Sequence, residues 1–417
     1  MAESNRRNIL QGAVATGLAF GAGATAHAAD PSGKVTYWHH FRSQEEFKGL
    51  QRVMELFKRL YPKVDLVQED IPPPAYMTKV TAAVLAKSPP DATMIAAERV
   101  DDMLAMNGLV DLTGRVNAWA SKANYPESGW QGCTRNGKIY GVPAFTYVDW
   151  AYWRRDWFEQ AGIDGAPDTL DDFLAAAKKL TDPSKNRYGF GMRGGLGGYV
   201  SILDLIESFG SPIVIDGRNA MDRPKAVAAV KWYSDLATVH KVVPPSAAND
   251  GFLQIIEGFK TGQTAMTWHQ TGSLVEIMRY MKPGTYATAI KPKGPATRFV
   301  RLSYSFNGLM KTDNAEAAWD WITFWGERDP ALVFLQETGY FPSSLVLEKE
   351  PAIAQNPLYT PAIKTLAFGQ LPPSFPGLVG WAQNVVLPEF QKILIGQQTA
   401  ERAVDYMMRG LDDALKS

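Results

Sequence analysis

The sequence is poor in cysteine and histidine and has no excess of charge of either sign. It contains one cysteine, Cys133, and five histidines, with 43 basic and 43 acidic side chains among 417 residues. A single cysteine excludes an intramolecular disulfide and disfavours a cysteine-based metal site. A net charge of zero gives no reason to expect nucleic acid or an anionic membrane as a partner.

Long hydrophobic runs are missing after residue 28. No later stretch reaches the roughly 18 consecutive apolar residues that a membrane-spanning helix needs. Ahead of that point, Arg6-Arg7 precede a mildly apolar run over residues 13–26, and Ala26-His27-Ala28 fits a cleavage site. This pattern predicts an export signal over residues 1–28, of the twin-arginine type or an ordinary secretory one, with cleavage near Ala28. We therefore expect a soluble mature protein in the periplasm.

Catalytic, nucleotide-binding and metal-binding motifs are also missing. There is no G-x-S-x-G turn, and the glycine run over residues 191–198 lacks the Lys-Ser/Thr of a phosphate-binding loop. His39 and His40 are neighbours on a predicted strand, so their side chains point to opposite faces and cannot readily share one ion. The sequence predicts neither a metal nor a cofactor.

The apolar residues that are present alternate between strand and helix patterns. A short strand ends at Trp38, and Ser43 and Glu46 form a capping box in front of a helix with one apolar face. Further strands are predicted at residues 64–67 and 91–97, with helices between them. This alternation indicates an α/β protein with a mostly parallel sheet, in which ligands bind at the carboxyl ends of the strands.

The stretch that organises the chain is residues 136–181. It reads as a strand from Gly137 that stops at Pro143, then an aromatic segment, then a helix that Thr169 and Asp172 cap. Later motifs are GQTAMTW at residues 262–268, KPKGP at 291–295 and GYFP at 339–342. From about residue 33 to the end, this set resembles the extracellular solute-binding proteins of ABC importers, family 1, which includes the maltodextrin-binding protein.

The resemblance implies a two-lobed periplasmic-binding-protein fold. Each lobe would be a mostly parallel sheet flanked by helices, and three crossings near residues 143–147, 290–295 and 341–347 would form the hinge. The N-terminal lobe would comprise residues 29–143 and 295–342, and the C-terminal lobe residues 144–294 and 343–417. The implied partners are a small-molecule carbohydrate ligand and the permease subunits of the importer, with the binding protein a monomer.

A sugar site needs flat apolar faces and converging hydrogen-bond groups. Seven aromatic residues fall where the family fold brings chain segments to the cleft, although each could instead be core packing: Trp38, Phe41, Tyr147, Trp150, Trp268, Tyr340 and Trp381. The polar candidates at such positions are His40, Gln44, Glu98, Asp149, Arg193 and Asn307.

Several of the polar candidates have plainer alternatives. Glu98 could form a surface salt bridge with Arg99 or Lys87, and Arg193 could be a solvated arginine in a loop. Asn307 lies in a segment where the family often has paired glycines, but Ser305-Phe306 stand there in this chain, so close backbone approach to a ligand is not expected.

The expected function is capture of a sugar, oligosaccharide or polyol by hinge closure, without catalysis. Two alternatives stay open at this stage. A charged solute, such as a sugar phosphate, a sulfonated sugar or a polyamine, would require a charged cleft. A secreted carbohydrate-active enzyme would require two carboxylates across the cleft, for which Asp149 with Glu98 or Glu159 are the candidates.

Overall fold

The computed structural model describes residues 31–310, 313–366 and 368–416. The predicted export signal lies outside these residues. The described strands are β1 (Gly33–His39), β2 (Val64–Asp70), β3 (Ala92–Ala96), β4 (Thr134–Arg135), β5 (Lys138–Ile139), β6 (Val142–Trp153), β7 (Tyr188–Gly191), β8 (Val214–Ile215), β9 (Arg218–Asn219), β10 (Thr264–Gln270), β11 (Ala287–Ala289), β12 (Leu302–Leu309) and β13 (Phe341–Pro342).

The helices fill the intervals between these strands and the C-terminal region. The described α-helices are α1 (Gln44–Leu60), α2 (Pro73–Leu85), α3 (Val100–Ala105), α4 (Thr113–Ala118), α5 (Glu127–Cys133), α6 (Arg155–Gln160), α7 (Leu170–Leu180), α8 (Tyr199–Ser208), α9 (Arg223–Thr238), α10 (Phe252–Lys260), α11 (Leu274–Tyr280), α12 (Ala315–Phe324), α13 (Arg328–Thr338), α14 (Pro351–Ala354), α15 (Thr360–Leu366), α16 (Leu378–Trp381), α17 (Leu387–Leu394) and α18 (Ala400–Ala414). A π-helical turn, Ala382–Val386, joins α16 to α17.

Strand β6 is common to two groups of strands. Its first half, up to Val148, pairs with β12 and β13, and β12 continues to β3, β1 and β2. Its second half, from Asp149, pairs with β10 and β11, and β10 continues to β7. We call the first group and its helices the first lobe, and the second group and its helices the second lobe. Pairing is parallel among the outer strands and antiparallel along β6.

The strand predicted to stop at Pro143 continues for ten more residues. Proline lacks the N–H that a central strand needs, which is why the sequence indicates a break there. The ladder between β6 and β12 has a bulge at this point, because Phe306 pairs with Pro143 and Ser305 with Phe145, which leaves Ala144 unpaired. The bulge accommodates the proline and lets a single strand cross between the lobes.

The apolar core consists of two clusters, one that lies mainly in the first lobe and one in the second. In the first core, the rings of Tyr37 and Phe57 each meet the ring of Trp321 edge to face, with centroids 5.2 Å apart in both pairs. This core extends behind β6 to the buried Trp150 and Tyr152. The second core surrounds Trp268 with aromatic rings from α7, β7 and α9, and it includes α17 and α18. Aromatic side chains therefore account for much of the packing in both lobes.

The chain stays with the second lobe through Arg298. Lys293 N–H donates to the Asp168 carbonyl, the amides of Ala296 and Thr297 donate to the Ser208 carbonyl, and Arg298 Nη1 donates to the Lys291 carbonyl. We therefore place the second crossing between Arg298 and Leu302, a few residues beyond the predicted one. After β13, Leu347, Ile353 and Tyr359 lie in the first core, and only the residues from Phe375 onward lie in the second.

Capping chemistry sets two helix starts as the sequence predicts, and a third capping signal, from Asp313 and Glu316, is not realised. Ser43 and Glu46 form the reciprocal hydrogen bonds of a capping box at α1, and Thr169 and Asp172 do so at α7. Helix α12 differs: its N-cap is Asn314, without a side-chain hydrogen bond from the cap.

Among the described residues, no helix combines the length and the apolar character that crossing a membrane requires.

Candidate functional site

A cavity lies where the two lobes face each other beside β6. The segments that reach it follow the carboxyl ends of β1, β3 and β7, and the end of β10 and the middle of β6 and β12 complete its wall. Carboxyl ends of parallel strands leave backbone groups and loop side chains free, so they are the expected place for a ligand in an α/β sheet. His40 and Phe41, after β1, and Glu98 and Arg99, after β3, lie at this edge.

The cavity brings together eight of the thirteen residues that the sequence suggests as ligand contacts. Three come from the first lobe, two from β6 and three from the second lobe and the last crossing: His40, Phe41, Glu98, Tyr147, Asp149, Arg193, Trp268 and Tyr340. Glu98 forms no ion pair with Arg99 or Lys87 among the described residues, and Arg193 is half-buried in the cavity wall instead of extending into solvent.

The alternation of β6 separates Asp149 from Trp150. Successive side chains of a strand point to opposite faces, and Phe145, Tyr147 and Asp149 all line the cavity. Trp150 therefore points away from it. Its side chain is fully buried in the first core, with its ring 5.3 Å from that of Tyr152.

Four further predicted residues also lie outside the cavity wall. Trp38 packs on the first core beneath Lys79, and Gln44 is exposed at the start of α1. Asn307 is fully buried and accepts a hydrogen bond from Tyr37 Oη, because β12 runs away from the cavity and only Ser303 and Ser305 of that face reach it. Trp381 is buried against α18, where Nε1–H donates to the Met407 carbonyl. We assign Trp38, Trp150, Asn307 and Trp381 to packing and Gln44 to the exposed surface.

The cavity also contains residues that sequence reasoning missed. Three of them follow directly after a predicted contact, so extending each strand end by one residue would have found them: Arg42, Arg99 and His269. Tyr199, Phe252, Arg301, Ser303 and Gln383 carry no local signal. They reach the cavity only because helices and strands distant in sequence pack together there.

A buried charge cluster supports the floor of the cavity. The Asp204 carboxylate accepts hydrogen bonds from Arg301 Nε and Lys291 Nζ, both at 2.9 Å, and all three side chains are buried. Burial alone would raise the pKa of Asp204, but Arg301 and Lys291 outweigh it and hold that pKa below its ordinary value. Of this cluster, Arg301 faces the cavity, so its position there depends on Asp204.

Asp149 projects beside this cluster without an ion pair of its own among the described side chains. Burial raises the pKa of Asp149 above its ordinary value, while Lys291 and Arg301 oppose the rise and Asp204 adds to it. A carboxylate in this position can accept hydrogen bonds from two neighbouring hydroxyl groups of a ligand.

The glycine run after β7 positions Arg193. Gly197 has a φ of +80°, and a side chain there would collide with the Arg193 guanidinium. Arg193 Nε donates to the Leu196 carbonyl at 2.8 Å, which fixes the guanidinium over its own loop. The glycine run therefore holds Arg193 in place and packs closely against residues 247–250.

Tyr340 connects the last crossing to both walls. Its Oη donates to Glu46 Oε1 at 2.7 Å and accepts from Gln270 Nε2 at 2.8 Å. Its ring lies over Gly272, where a side chain would collide with it. The capping glutamate of α1 therefore also fixes a residue of the cavity.

Several buried polar groups of the wall have no hydrogen-bond partner among the described residues. These groups are His40 Nδ1, Arg99 Nε and Nη1, Trp268 Nε1 and His269 Nε2. A buried N–H without a partner costs about 1–3 kcal/mol, so an oxygen-rich ligand that supplies acceptors would recover this free energy. Trp268 presents its Nε1–H edge to the cavity. Its ring face is largely covered, because the side chain is 5% exposed and packs against Phe173 and Phe190.

Within the described ranges, no three His, Cys, Asp or Glu side chains converge as they would around a metal ion. His39 is buried against Gln68 at 2.6 Å, whereas His40 contacts Tyr76 with ring centroids 4.8 Å apart. The two histidines thus point in different directions, as their adjacent positions on a strand predict.

Comparison with known sequences places the chain among binding proteins. The sequence profile of the bacterial extracellular solute-binding proteins matches residues 42–330. A Brucella abortus protein named only as a candidate binding protein is 24% identical over 356 residues, which cover 83% of this chain and 85% of the relative. A Deinococcus radiodurans protein named a probable ABC transporter-binding protein is 29% identical over 197 residues, 45% of this chain and 46% of the relative.

Solved structures with the same fold include three that hold small polyhydroxylated ligands. A Thermotoga lettingae solute-binding protein with α-D-tagatose has a TM-score of 0.85 at 22% identity, covering 92% of this chain and 100% of that one. A maltose-bound T. maritima protein has a TM-score of 0.84 at 23% identity, covering 91% of this chain and 99% of that one. An Agrobacterium radiobacter protein with ribitol has a TM-score of 0.81 at 21% identity, covering 93% of this chain and 100% of that one. The two-lobed α/β fold predicted from the sequence is confirmed.

Proposed function

The chain belongs to the bacterial extracellular solute-binding proteins, and we propose that, as the binding component of an ABC importer, it captures a sugar or a polyol between its two lobes. The observation that carries this proposal is the cavity beside β6, with strand ends from both lobes in its wall. Tyr147 and Tyr199 offer half-buried aromatic faces, and Asp149 and Glu98 offer carboxylates. Such a mixture suits a polyhydroxylated ring or chain.

The relatives with named ligands support the same solute class. Tagatose, ribitol and maltose occupy proteins of this fold, and all three are polyhydroxylated. The eight predicted residues that line the cavity are the proposed ligand contacts, joined by Arg42, Arg99, Tyr199, Phe252 and His269. We propose that the mature protein acts as an exported monomer, with cleavage near Ala28, and delivers its solute to the permease subunits.

Hinge closure is the proposed mechanism of capture. Residues from both lobes contact one solute only when the lobes approach, so the solute stabilises the closed state by its differential affinity. A micromolar dissociation constant would correspond to roughly −8 kcal/mol, net of the free energy that closure costs.

A thermal-shift screen of the protein without residues 1–28 tests the proposed solute class. The panel would contain pentoses, hexoses, disaccharides, their reduced polyols and their acidic derivatives, because a ligand bound only by the folded state raises the melting temperature. We expect a rise for one group of related compounds, each recovered chemically unchanged. Recovery of a cleaved compound would instead assign catalysis to Asp149 and its neighbours, and no rise with any compound would contradict the proposed solute class.

A further inference from the structure

Three of the four arginines in the cavity wall have no acidic partner. Arg301 is paired with Asp204 at 2.8 Å. Arg42, Arg99 and Arg193 also line the cavity, yet none of them forms a salt bridge with any described residue. Arg99 is 4% exposed and leaves Nε and Nη1 without a hydrogen bond among these residues. A buried cation such as Arg99 normally has a counter-charge, so the lack of one among the described residues indicates a counter-charge that comes with the ligand.

The unpaired arginines approach one another from both lobes around Phe252. The Arg42 guanidinium, from the first lobe, lies 5.6 Å from the centroid of the Phe252 ring, and that of Arg193, from the second lobe, lies 5.7 Å from it. The His269 ring centroid is 4.2 Å from the same ring. We call this part of the cavity, with His40 and Arg99, the basic end.

Burial, followed by the neighbouring guanidinium groups, lowers the pKa of three groups at the basic end. Burial and then Arg99 and Arg42 lower the pKa of His40 well below its ordinary value. Burial and then Arg193 lower the pKa of His269 to about 3. Burial and then Arg42 lower the pKa of Arg193 to about 10, while Tyr199 and Asp149 oppose the fall. A third carboxylate, Glu46, already accepts from the amides of Arg42 and Ser43 and from Tyr340 Oη.

The cavity wall also carries two carboxylates. Glu98 and Asp149 lie around Arg301, and both add to the rise in the pKa of Tyr147, after burial. Neither carboxylate has an ion pair among the described side chains. The wall therefore offers carboxylate acceptors for hydroxyl groups as well as guanidinium donors for an anionic group.

We propose that the captured solute is a polyhydroxylated compound with one anionic oxyacid group, a carboxylate, phosphate or sulfonate. Arg42, Arg99 and Arg193 hold the anionic group at the basic end, and Asp149 and Glu98 accept hydrogen bonds from the hydroxyl groups of the same solute. Guanidinium groups bind such oxyanions through paired hydrogen bonds. This inference rests on the proposed function. It departs from the uncharged ligands of the relatives, and its support is the set of arginines in this chain.

Calorimetric titration with matched compounds tests the inference at neutral pH. Each set contains a neutral sugar or polyol and the same skeleton as its uronate or aldonate, its phosphate and its terminal sulfonate. We expect one acidic form to bind at least tenfold more tightly than its neutral parent. The form that does so identifies the anionic group as a carboxylate, a phosphate or a sulfonate. Tighter binding of a neutral parent than of all its acidic forms would overturn the inference and leave the proposed function standing. Binding of neither kind would contradict the proposed function itself.

Substitution of the exposed arginine tests the contact itself. Arg42→Gln should weaken binding of the acidic compound about 10- to 100-fold and binding of its neutral parent less than threefold, because only the former needs the charge. Arg193→Gln should weaken binding of the two compounds by the same factors. Arg402→Gln, on the exposed face of α18, is the matched control and should leave both affinities unchanged. Equal affinity of the Arg42→Gln, Arg193→Gln and unsubstituted proteins for the acidic compound would overturn the proposal.

Discussion

At the scale of single residues, direction along a strand decides which side chains can meet a ligand. Asp149 and Trp150 are neighbours in sequence, yet one lines the cavity and the other is fully buried behind β6. Tyr199 reaches the same cavity from the start of α8 and is half-buried there. The fold therefore determines, as much as residue type does, which aromatic side chains can contact a ligand.

Replacing these aromatic residues should separate binding from stability. Tyr199→Ala should weaken sugar binding about tenfold, because a flat apolar contact is lost in the cavity. Trp150→Phe should lower the free energy of unfolding by roughly 1–3 kcal/mol and leave the affinity of the folded protein unchanged. Calorimetric titration and denaturant unfolding measure the two effects. A large affinity loss in Trp150→Phe would contradict the packing role given to this residue.

The buried Asp204 should be the most sensitive single charge. Asp204→Asn leaves Arg301 and Lys291 buried without their counter-ion and should cost about 3–5 kcal/mol in the free energy of unfolding. Asp405→Asn is the control, because the pair of Asp405 with Arg223 is exposed to solvent and should contribute little to stability. Equal losses in urea unfolding of the two variants would contradict this account.

The same carboxylate predicts a direction of pH dependence. The pKa of Asp204 in the folded state lies below its ordinary value near 4, so its contribution is complete above about pH 4 and is lost as the pH falls below that value. The free energy of unfolding, measured against pH, should fall below about pH 4. In Asp204→Asn this fall should be smaller. An unchanged fall in the variant would assign the acid sensitivity to other groups.

The sequence identifies eight cavity residues because strand ends can be located from hydrophobic patterns. His40, Glu98 and Arg193 each follow a short apolar run, and the carboxyl ends of such runs converge in an α/β sheet. Phe252 and Arg301 could not be found in this way. Their positions depend on how α10 packs against the first lobe and where the chain crosses back at residues 298–302, and neither is a local property.

At the scale of elements, capping and ion pairs join helices that are far apart in sequence. Glu337 of α13 contacts Lys48 and Arg52 of α1 and Arg279 of α11. Burial would raise the pKa of Glu337, but hydrogen bonds from these three cations lower it to about 2. One carboxylate thus connects three helices behind the cavity.

Removing that carboxylate should loosen the connection. Glu337→Gln should lower the free energy of unfolding by about 1–3 kcal/mol above pH 5, where the charge is present in both the folded and unfolded chains. The difference should shrink as the pH falls from about 4.5 toward 2, because the folded-state pKa is depressed. Glu316→Gln, whose exposed carboxylate contacts Arg115, is the control with little expected effect. A loss in Glu337→Gln no larger than in this control would argue against the connection.

Element boundaries were predictable where local chemistry determines them. The capping boxes of α1 and α7 form as the sequence indicates, since Ser43 and Thr169 need only residues three positions on. The length of β6 was not predictable, because the bulge opposite Ser305 and Phe306 that accommodates Pro143 belongs to another strand. Tertiary pairing overrode the local signal there.

At the scale of the whole molecule, side chains of the two lobes also meet across the cavity. Phe252 of the second lobe contacts Arg42 of the first across the cavity. Phe252→Ala should therefore shift the equilibrium toward the open state and weaken solute binding, since only the closed state makes all contacts.

Small-angle X-ray scattering should show this shift. We expect the radius of gyration to fall when the solute binds, and to be larger for ligand-free Phe252→Ala than for the unsubstituted protein. Identical scattering of the free and bound protein would contradict the proposed closure.

The most direct test of the account is a crystal structure of the protein with the compound that raises its melting temperature most. We predict intact solute between the lobes, with its hydroxyl groups at Asp149 and Glu98 and contacts to residues of both lobes. Solute bound elsewhere, or found cleaved beside Asp149, would contradict the assignment of this cavity as a capture site.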